Sequence, residues 1–272
     1  MTEPFSVLLP VYRGDRAPFF ERAVASVTAE QTRRPDELVI VVDGPVPDAI
    51  ADVLRRVEAG ELTGGVPTRV LALPENVGLA RALEAGLDAC AHEVVARADA
   101  DDISLPRRFE VQLPLIEGGL DLVGSAIVEF GTEDGPDQMV RALPVSQAEI
   151  AEMARFRDPF NHPSVVYRRS AVRAAGGYEH LDKMEDYWLF ARMIAAGAAV
   201  ANSPRCWSVT GSAPAPTDAA AATACWPARC GCSAASCAPA SPPGPSSSAT
   251  SRCGGCTATS PSGCGRSCIA PW

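Results

Sequence analysis

Continuous apolar runs take turns with helical-period stripes along the first 202 residues. Phe5-Ser6-Val7-Leu8-Leu9-Pro10-Val11 is an apolar run closed by the polar stretch Tyr12 to Asp15. Phe20, Ala23, Val24 and Val27 then recur at helical spacing between Ala17 and Thr28. Glu37 to Val42 is a second run, ended by Asp43-Gly44-Pro45, and Ala49 to Val57 reads as the next helix. Arg69 to Leu73 is a third strand. Leu79, Leu83 and Leu87 recur every four residues, which predicts a helix with Asn76 as its cap. Val94-Val95-Ala96-Arg97-Ala98 is a fourth strand, Leu105 to Ile116 a helix and Leu120 to Phe130 a further strand region. From Gly131 the regularity fades. A loop runs to about Pro144, and Ser146 opens a short helix with Glu149 at capping-box spacing. A strand at Ser164 to Tyr167, a short helix from Ser170 to Gly176-Gly177 and an amphipathic helix from Glu185 to Ala196 complete the pattern. Apolar runs without alternation predict strands buried on both faces, and their regular exchange with helices predicts an α/β fold: a mostly parallel, doubly wound sheet with flanking helices.

The pattern stops at Ser203. From there to Trp272 the chain has no Leu, Met, Phe, Tyr, Lys, Glu, His, Asn or Gln, and Ala, Ser, Pro, Gly, Thr and Cys dominate. So little large apolar surface does not offset the entropy of ordering, so residues 203–272 are expected to form a disordered or aberrant tail beside a folded domain at 1–202. An out-of-frame translation of GC-rich DNA accounts for this composition better than a natural linker does. One permitted coding of Pro204 to Gly211 is CCG AGG TGC TGG TCC GTT ACC GGG. Read from the third base it encodes Glu-Val-Leu-Val-Arg-Tyr-Arg, an alternating segment of the kind the tail lacks. The same account covers the cysteines: only Cys90 precedes residue 205, whereas nine follow, including Cys253-Gly254-Gly255-Cys256. The zinc-site reading of that spacing is set aside for the simpler one.

Charge narrows the classes further. The net charge is −9 and Lys183 is the sole lysine, so no basic patch points to nucleic acid. An acidic protein still binds an anionic nucleotide when a divalent cation bridges the charges. The N-terminal residues lack the basic flank and long apolar stretch of a signal peptide, and no run of about 18 apolar residues is present. The cytoplasm, extending to the inner face of its membrane, is the expected compartment.

The chemistry concentrates at Asp99-Ala100-Asp101-Asp102, directly after the fourth strand. Open α/β sheets place ligands at the carboxyl ends of their strands, and hard oxygen donors there suit Mg²⁺ or Mn²⁺. An EF-hand loop is excluded because Ser104 stands where the sixth-position glycine is needed. A phosphatase-type nucleophile at Asp99 stays open as an alternative, as does an inactive chain that only binds nucleotide. Tyr12 to Asp15 and Asp43 end two other strands and belong on the same edge. Pro10 and Tyr12 can wall a planar base, and Asp43 can accept from a base N–H. Arg81 and Arg97 are candidate diphosphate contacts. His162 is a metal ligand, a substrate donor or a structural residue, with the last two favoured. Asp186 at a helix start is a candidate general base, with Trp188 as an apolar surface for a sugar ring. No G-x-G-x-x-G follows the first strand and there is no P-loop.

Taken in order, these segments resemble one family. Ser6 to Tyr12, Val41-Val42-Asp43-Gly44, Glu75-Asn76-Val77-Gly78-Leu79-Ala80, Arg97 to Asp102, Asn161-His162-Pro163-Ser164, Gly176-Gly177-Tyr178 and Glu185-Asp186-Tyr187 follow the sequence of motifs in family 2 glycosyltransferases. The likeness is greatest to bacterial members that build exopolysaccharide or cell-surface glycans, and it covers about residues 4–202. It implies a GT-A fold, a nucleoside-diphosphate sugar donor, a glycan or lipid-linked glycan acceptor with peripheral membrane association through it, a divalent cation (Mg²⁺ or Mn²⁺) and inversion at the anomeric carbon. By position it places Tyr12 and Asp43 at the base, Asp99 near the ribose, Asp101 on the metal and Asp186 as the catalytic base. Glu84 stands where relatives often carry Asn, and no role is carried over to it.

Overall fold

The structure is a computed structural model that describes residues 3–130 and 138–210. The chain opens with β1 (Phe5–Tyr12), α1 (Ala17–Val27), β2 (Glu37–Asp43), α2 (Asp48–Glu58), β3 (Thr68–Ala72), α3 (Leu79–Ala89) and β4 (Val94–Arg97). These strands pair in parallel in the order β3-β2-β1-β4. All but the last residue of β1 is buried, as an apolar run without alternation requires. The odd residues Phe5, Val7, Leu9 and Val11 pack with Phe20, Val24, Ile50 and Val57 on one face. Leu8, Val39 and Val41 meet Leu83 and Leu87 of α3 on the other. Each fully buried side chain of this size contributes about 1.5–3 kcal/mol. Gly86 lets α3 lie close to the sheet, since a Cβ there would come within 2.4 Å of Leu8 Cδ1 and 2.5 Å of Val41 Cγ2.

The second half adds β5 (Ile103–Ser104), α4 (Arg108–Glu117), β6 (Leu122–Phe130), β7 (Gln138–Arg141), α5 (Gln147–Met153), a 3-10 turn at His162–Ser164, β8 (Val166–Arg168), α6 (Arg169–Ala174), α7 (Glu185–Ala195) and β9 (Val200–Thr210). Among the described residues the sheet continues β4-β8-β6-β9-β5, with β7 on β6. Here β8 runs antiparallel to both β4 and β6. The α/β fold expected from the sequence therefore carries a parallel first half and a mixed second half.

Four local expectations change, the first being that β7 lies within the stretch expected as a loop to about Pro144. Asn76 does not cap α3: the helix begins at Leu79 with Gly78 before it, and the Asn76 amide is used elsewhere. The helix expected from Leu105 starts at Arg108. The ordered chain also does not end at residue 202. β9 runs on to Thr210, pairing with β6 and β5, and buries Cys206, Trp207, Ser208 and Val209. The expectation for the remainder of the tail falls on 211–272, outside the described residues.

Candidate active site

The parallel register brings the strand ends to one edge. Tyr12 lies opposite Asp43, and Arg97 opposite Leu8, so the turn after β4 sits beside the ends of β1 and β2. Asp43 is 5% exposed and ties down the loop leading to α3. Its carboxylate accepts from Asn76 Nδ2 at 2.9 Å, from the Val77 N–H at 2.7 Å and from the Gly78 N–H at 3.1 Å. A carboxylate offers about four acceptor sites, so about one is left for anything entering the cleft. Gly44 adopts φ +82°, and a Cβ there would stand 2.5 Å from the Asn76 nitrogen, so the loop docks against bare backbone. Tyr12 stays 47% exposed at the rim. Its N–H donates to Asp15 at 2.9 Å, which turns that carboxylate back toward the edge.

Arg97 and Arg108 organise the acidic turn. Arg97 is buried; its guanidinium pairs with Asp99 and donates to the Ala98 carbonyl. Arg108, wholly buried beneath it, donates to Ser104 Oγ at 2.9 Å, Gln112 Oε1 at 3.0 Å, and the carbonyls of Arg97 at 2.7 Å and Val165 at 3.2 Å. One side chain thereby joins β4, β5, α4 and the approach to β8. Burial lowers its pKa to about 9. The carboxylates are held the other way. Burial, with repulsion from Asp99, raises Asp101, and the same causes raise Asp102 well above the usual range. Asp15 is pushed up to about 6, chiefly by burial, with Asp101 and Asp99 adding to it. Two buried guanidiniums leave this group short of positive charge. Among the described residues, no three His, Cys, Asp or Glu are arranged to hold a metal by themselves.

Two cavities meet at this turn. The first, about 450 Å³, is lined by Pro10, Tyr12, Asp43, Arg97, Asp99 and Asp101, together with Asp15 and the loop before α3. The second, about 400 Å³, is lined by Asp99, Asp101, Asp158, His162, Lys183 and Asp186 among others. Leu79, Asp99 and Asp101 belong to both. Asp186 occupies the first turn of α7, with 24% of its side chain exposed; burial raises its pKa. The structure thus gathers all but two of the residues singled out from the sequence around two joined cavities. Arg81 is exposed on α3 and lines neither. Trp188 also lies outside both; its indole N–H donates to Glu179 at 2.7 Å.

Other residues were not found from the sequence. Asp158 lines the second cavity and is pushed up to about 7 by burial and by the nearby Asp186. Its only signal is its place just before Asn161-His162-Pro163. Glu84 accepts from the Tyr178 N–H at 2.8 Å, a contact across 94 positions of sequence.

The sheet order, the acidic turn after β4 and the paired cavities define a GT-A-type glycosyltransferase. The chain belongs to glycosyl transferase family 2, whose sequence model matches residues 6–176. It is 41% identical over 202 residues to the amylovoran biosynthesis glycosyltransferase AmsE of Erwinia amylovora, covering 74% of this chain and 73% of that one. It is 33% identical over 201 residues to the Escherichia coli UDP-Gal:alpha-D-GlcNAc-diphosphoundecaprenol beta-1,3-galactosyltransferase, covering 72% and 70%. Among solved structures, residues 1–349 of TarS from S. aureus with UDP-GlcNAc superpose with a TM-score of 0.58 at 16% identity, covering 80% of this chain. The mannosyltransferase PcManGT from Pyrobaculum calidifontis with GDP-Man and Mn2+ gives 0.56 at 17%, covering 77%. The matches span 60% and 57% of those two chains, so this chain covers less than two thirds of either, and at such identities the likeness concerns the fold. Membership of this family sets aside the phosphatase-type alternative at Asp99. No helix among the described residues is long and apolar enough to cross a membrane.

Proposed function

We propose that this glycosyltransferase moves a sugar from a nucleoside-diphosphate sugar to a hydroxyl of a glycan or lipid-linked glycan, with inversion at the anomeric carbon. The observation that carries the reading is that the two cavities share Asp99 and Asp101. A donor lying in the first cavity with its diphosphate at the acidic turn presents its sugar to the second. Pro10 and Tyr12 flank the base, and the acceptor site left on Asp43 takes a base N–H. Asp99 faces the ribose, held in place by Arg97. The carboxylates here repel one another and outnumber the two buried guanidiniums, which fits a divalent ion that Asp101 would hold only together with a bound diphosphate. Mg²⁺ or Mn²⁺ held there would supply positive charge to the leaving diphosphate. Support for this chemistry comes also from the relatives, whose names include UDP-Gal, UDP-GlcNAc, GDP-Man and Mn2+.

The residues of the second cavity then act on the acceptor. Asp186 takes the proton of the acceptor hydroxyl, and burial makes it a stronger base than an exposed carboxylate. The hydroxyl oxygen forms its bond to the anomeric carbon from the face opposite the bond to the diphosphate, which breaks and carries its electron pair away. The acceptor in the E. coli relative's name is a GlcNAc carried on a lipid through a diphosphate, and the same class is the one proposed for this chain. Peripheral membrane association through that acceptor follows from the proposal.

Donor binding tests the assignment of the acidic turn. UDP and GDP are titrated calorimetrically into the full chain with Mn²⁺ and with chelator. Asp101→Ala is expected to weaken the metal-dependent binding by about 10- to 100-fold. Equal affinity in the variant, or no effect of the metal on the unaltered chain, would contradict it.

A further inference from the structure

His162 is the one imidazole that lines the second cavity, and its surroundings fix which nitrogen carries the proton. The ring is buried and kept neutral by burial and by the nearby Arg97 guanidinium, so it has a single N–H. Nδ1 lies 3.6 Å from Oδ2 of Asp186. Nε2 lies 3.3 Å from the Tyr178 hydroxyl, which in turn lies 3.3 Å from the Tyr167 hydroxyl. A carboxylate only accepts, so a proton on Nδ1 meets an acceptor, whereas a proton on Nε2 would turn the Nδ1 lone pair onto Asp186. With Nδ1 protonated, every polar atom has a complementary neighbour. Tyr167 donates to Tyr178, Tyr178 donates to Nε2, and Nδ1–H points at Asp186.

The far end of this chain is anchored. The Tyr178 N–H donates to Glu84 Oε2 at 2.8 Å. Gly177 before it adopts φ +73°, and a Cβ there would stand 2.7 Å from Glu84 Oε1. Helix α3, which borders the donor cavity through Leu79 and Ala82, therefore sets the position of the Tyr178 hydroxyl. Glu84, to which the sequence attached no role, becomes the fixed point of the relay.

We propose that His162 is a positioning residue, held in its Nδ1–H tautomer by Tyr178 so that it orients the Asp186 carboxylate toward the acceptor hydroxyl. This rests on Asp186 being the base. A neutral ring orients the carboxylate without adding the positive charge that would weaken it as a base. At 3.6 Å the contact is longer than a hydrogen bond, and such contacts commonly tighten when substrate closes the site.

Two measurements test the proposal. In the full chain with ¹⁵N-labelled histidine, long-range ¹H–¹⁵N correlation reads the tautomer directly, and His92→Gln and His180→Gln identify the His162 signals by elimination. The expected result is a neutral ring protonated at Nδ1 from pH 6 to 8; an Nε2–H ring or an imidazolium overturns the proposal without any change to the site. Kinetics supply the second readout, following nucleotide release from whichever of UDP-galactose, UDP-GlcNAc and GDP-mannose is turned over fastest. His162→Asn sets an amide N–H near Nδ1 and is expected to keep kcat within about threefold. His162→Gln and Tyr178→Phe are expected to lower kcat about 10- to 100-fold at unchanged donor KM, as misplacing a reacting group does. Equal losses in the Asn and Gln variants, or a loss confined to KM, contradict the proposal. If Asp186→Asn turns over normally, the failure lies with Asp186 as base, and the tautomer result stands apart from it.

Discussion

Asp43 and Asp158 show how far one residue type can diverge with its surroundings. Asp43 collects three donors from a neighbouring loop and works as a tether at the mouth of the donor cavity. Asp158 receives the Phe160 N–H at 2.9 Å and otherwise faces burial and the charge of Asp186, which together push its pKa from 3.8 up to about 7. The folded state therefore binds this proton more tightly than the unfolded chain does. Between about pH 4 and pH 7 the folded state holds the proton that the unfolded state has lost, so stability falls as pH rises and levels off above 7. Asp158→Asn keeps an oxygen for the Phe160 N–H and removes the penalty. In thermal or urea unfolding it should stabilise the chain more at pH 8 than at pH 5, by on the order of 1–3 kcal/mol. An equal effect at both pH values would contradict the assignment. Residues such as Asp99, Asp101 and Asp186 stand out in the sequence because each closes or opens a regular element. Asp158 and Glu84 do not, and Arg108 shows no role although it opens α4, because their partners arrive from 28, 94 and 57 positions away.

Elements in the first half were legible because each carries its own periodicity: β1 and β2 as unbroken apolar runs, α3 as a stripe of leucines. β9 has none. Its eleven residues include Asn202, Ser203, Pro204, Arg205 and Ser208, and it becomes a strand because β6 offers an edge. The pairing is regular from Val200 to Ser203, then skips Pro204 and Arg205, and skips Trp207 before Ser208. The irregularity begins at the position from which the shifted reading frame was proposed. Counting its glutamate as 205, that frame puts valine at 206 and 208, where Cys206 and Ser208 are now 3% and 1% exposed. The Ser208 hydroxyl is buried with no hydrogen-bond partner among the described residues. Deleting an unpaired buried hydroxyl removes a desolvation cost. Ser208→Ala should therefore raise the unfolding free energy by about 1 kcal/mol, measured by urea denaturation at pH 7. A loss of stability would show that the hydroxyl is satisfied and that the strand is native as it stands.

At the scale of the molecule, the sheet separates two jobs. The parallel half, β3-β2-β1-β4, presents the strand ends that line the donor cavity. The mixed half, entered where β8 slips antiparallel between β4 and β6, brings the 3-10 turn with His162 to that edge, and the chain that follows brings α7 with Asp186. The parallel half could be read from local runs and the right-handed β-α-β rule. The order of the mixed half could not, since it depends on pairings between segments too short or irregular to announce a partner. The account requires that the two jobs come apart experimentally. The measurement that tests this most directly compares Asp186→Asn with the unaltered full chain, reading nucleotide affinity by calorimetry and the rate of nucleotide release from the preferred donor in the same preparation. The account predicts affinity within about threefold and a rate lower by about 10²- to 10⁴-fold, the usual cost of losing a general base. Turnover near that of the unaltered chain, or affinity lost together with rate, would contradict it.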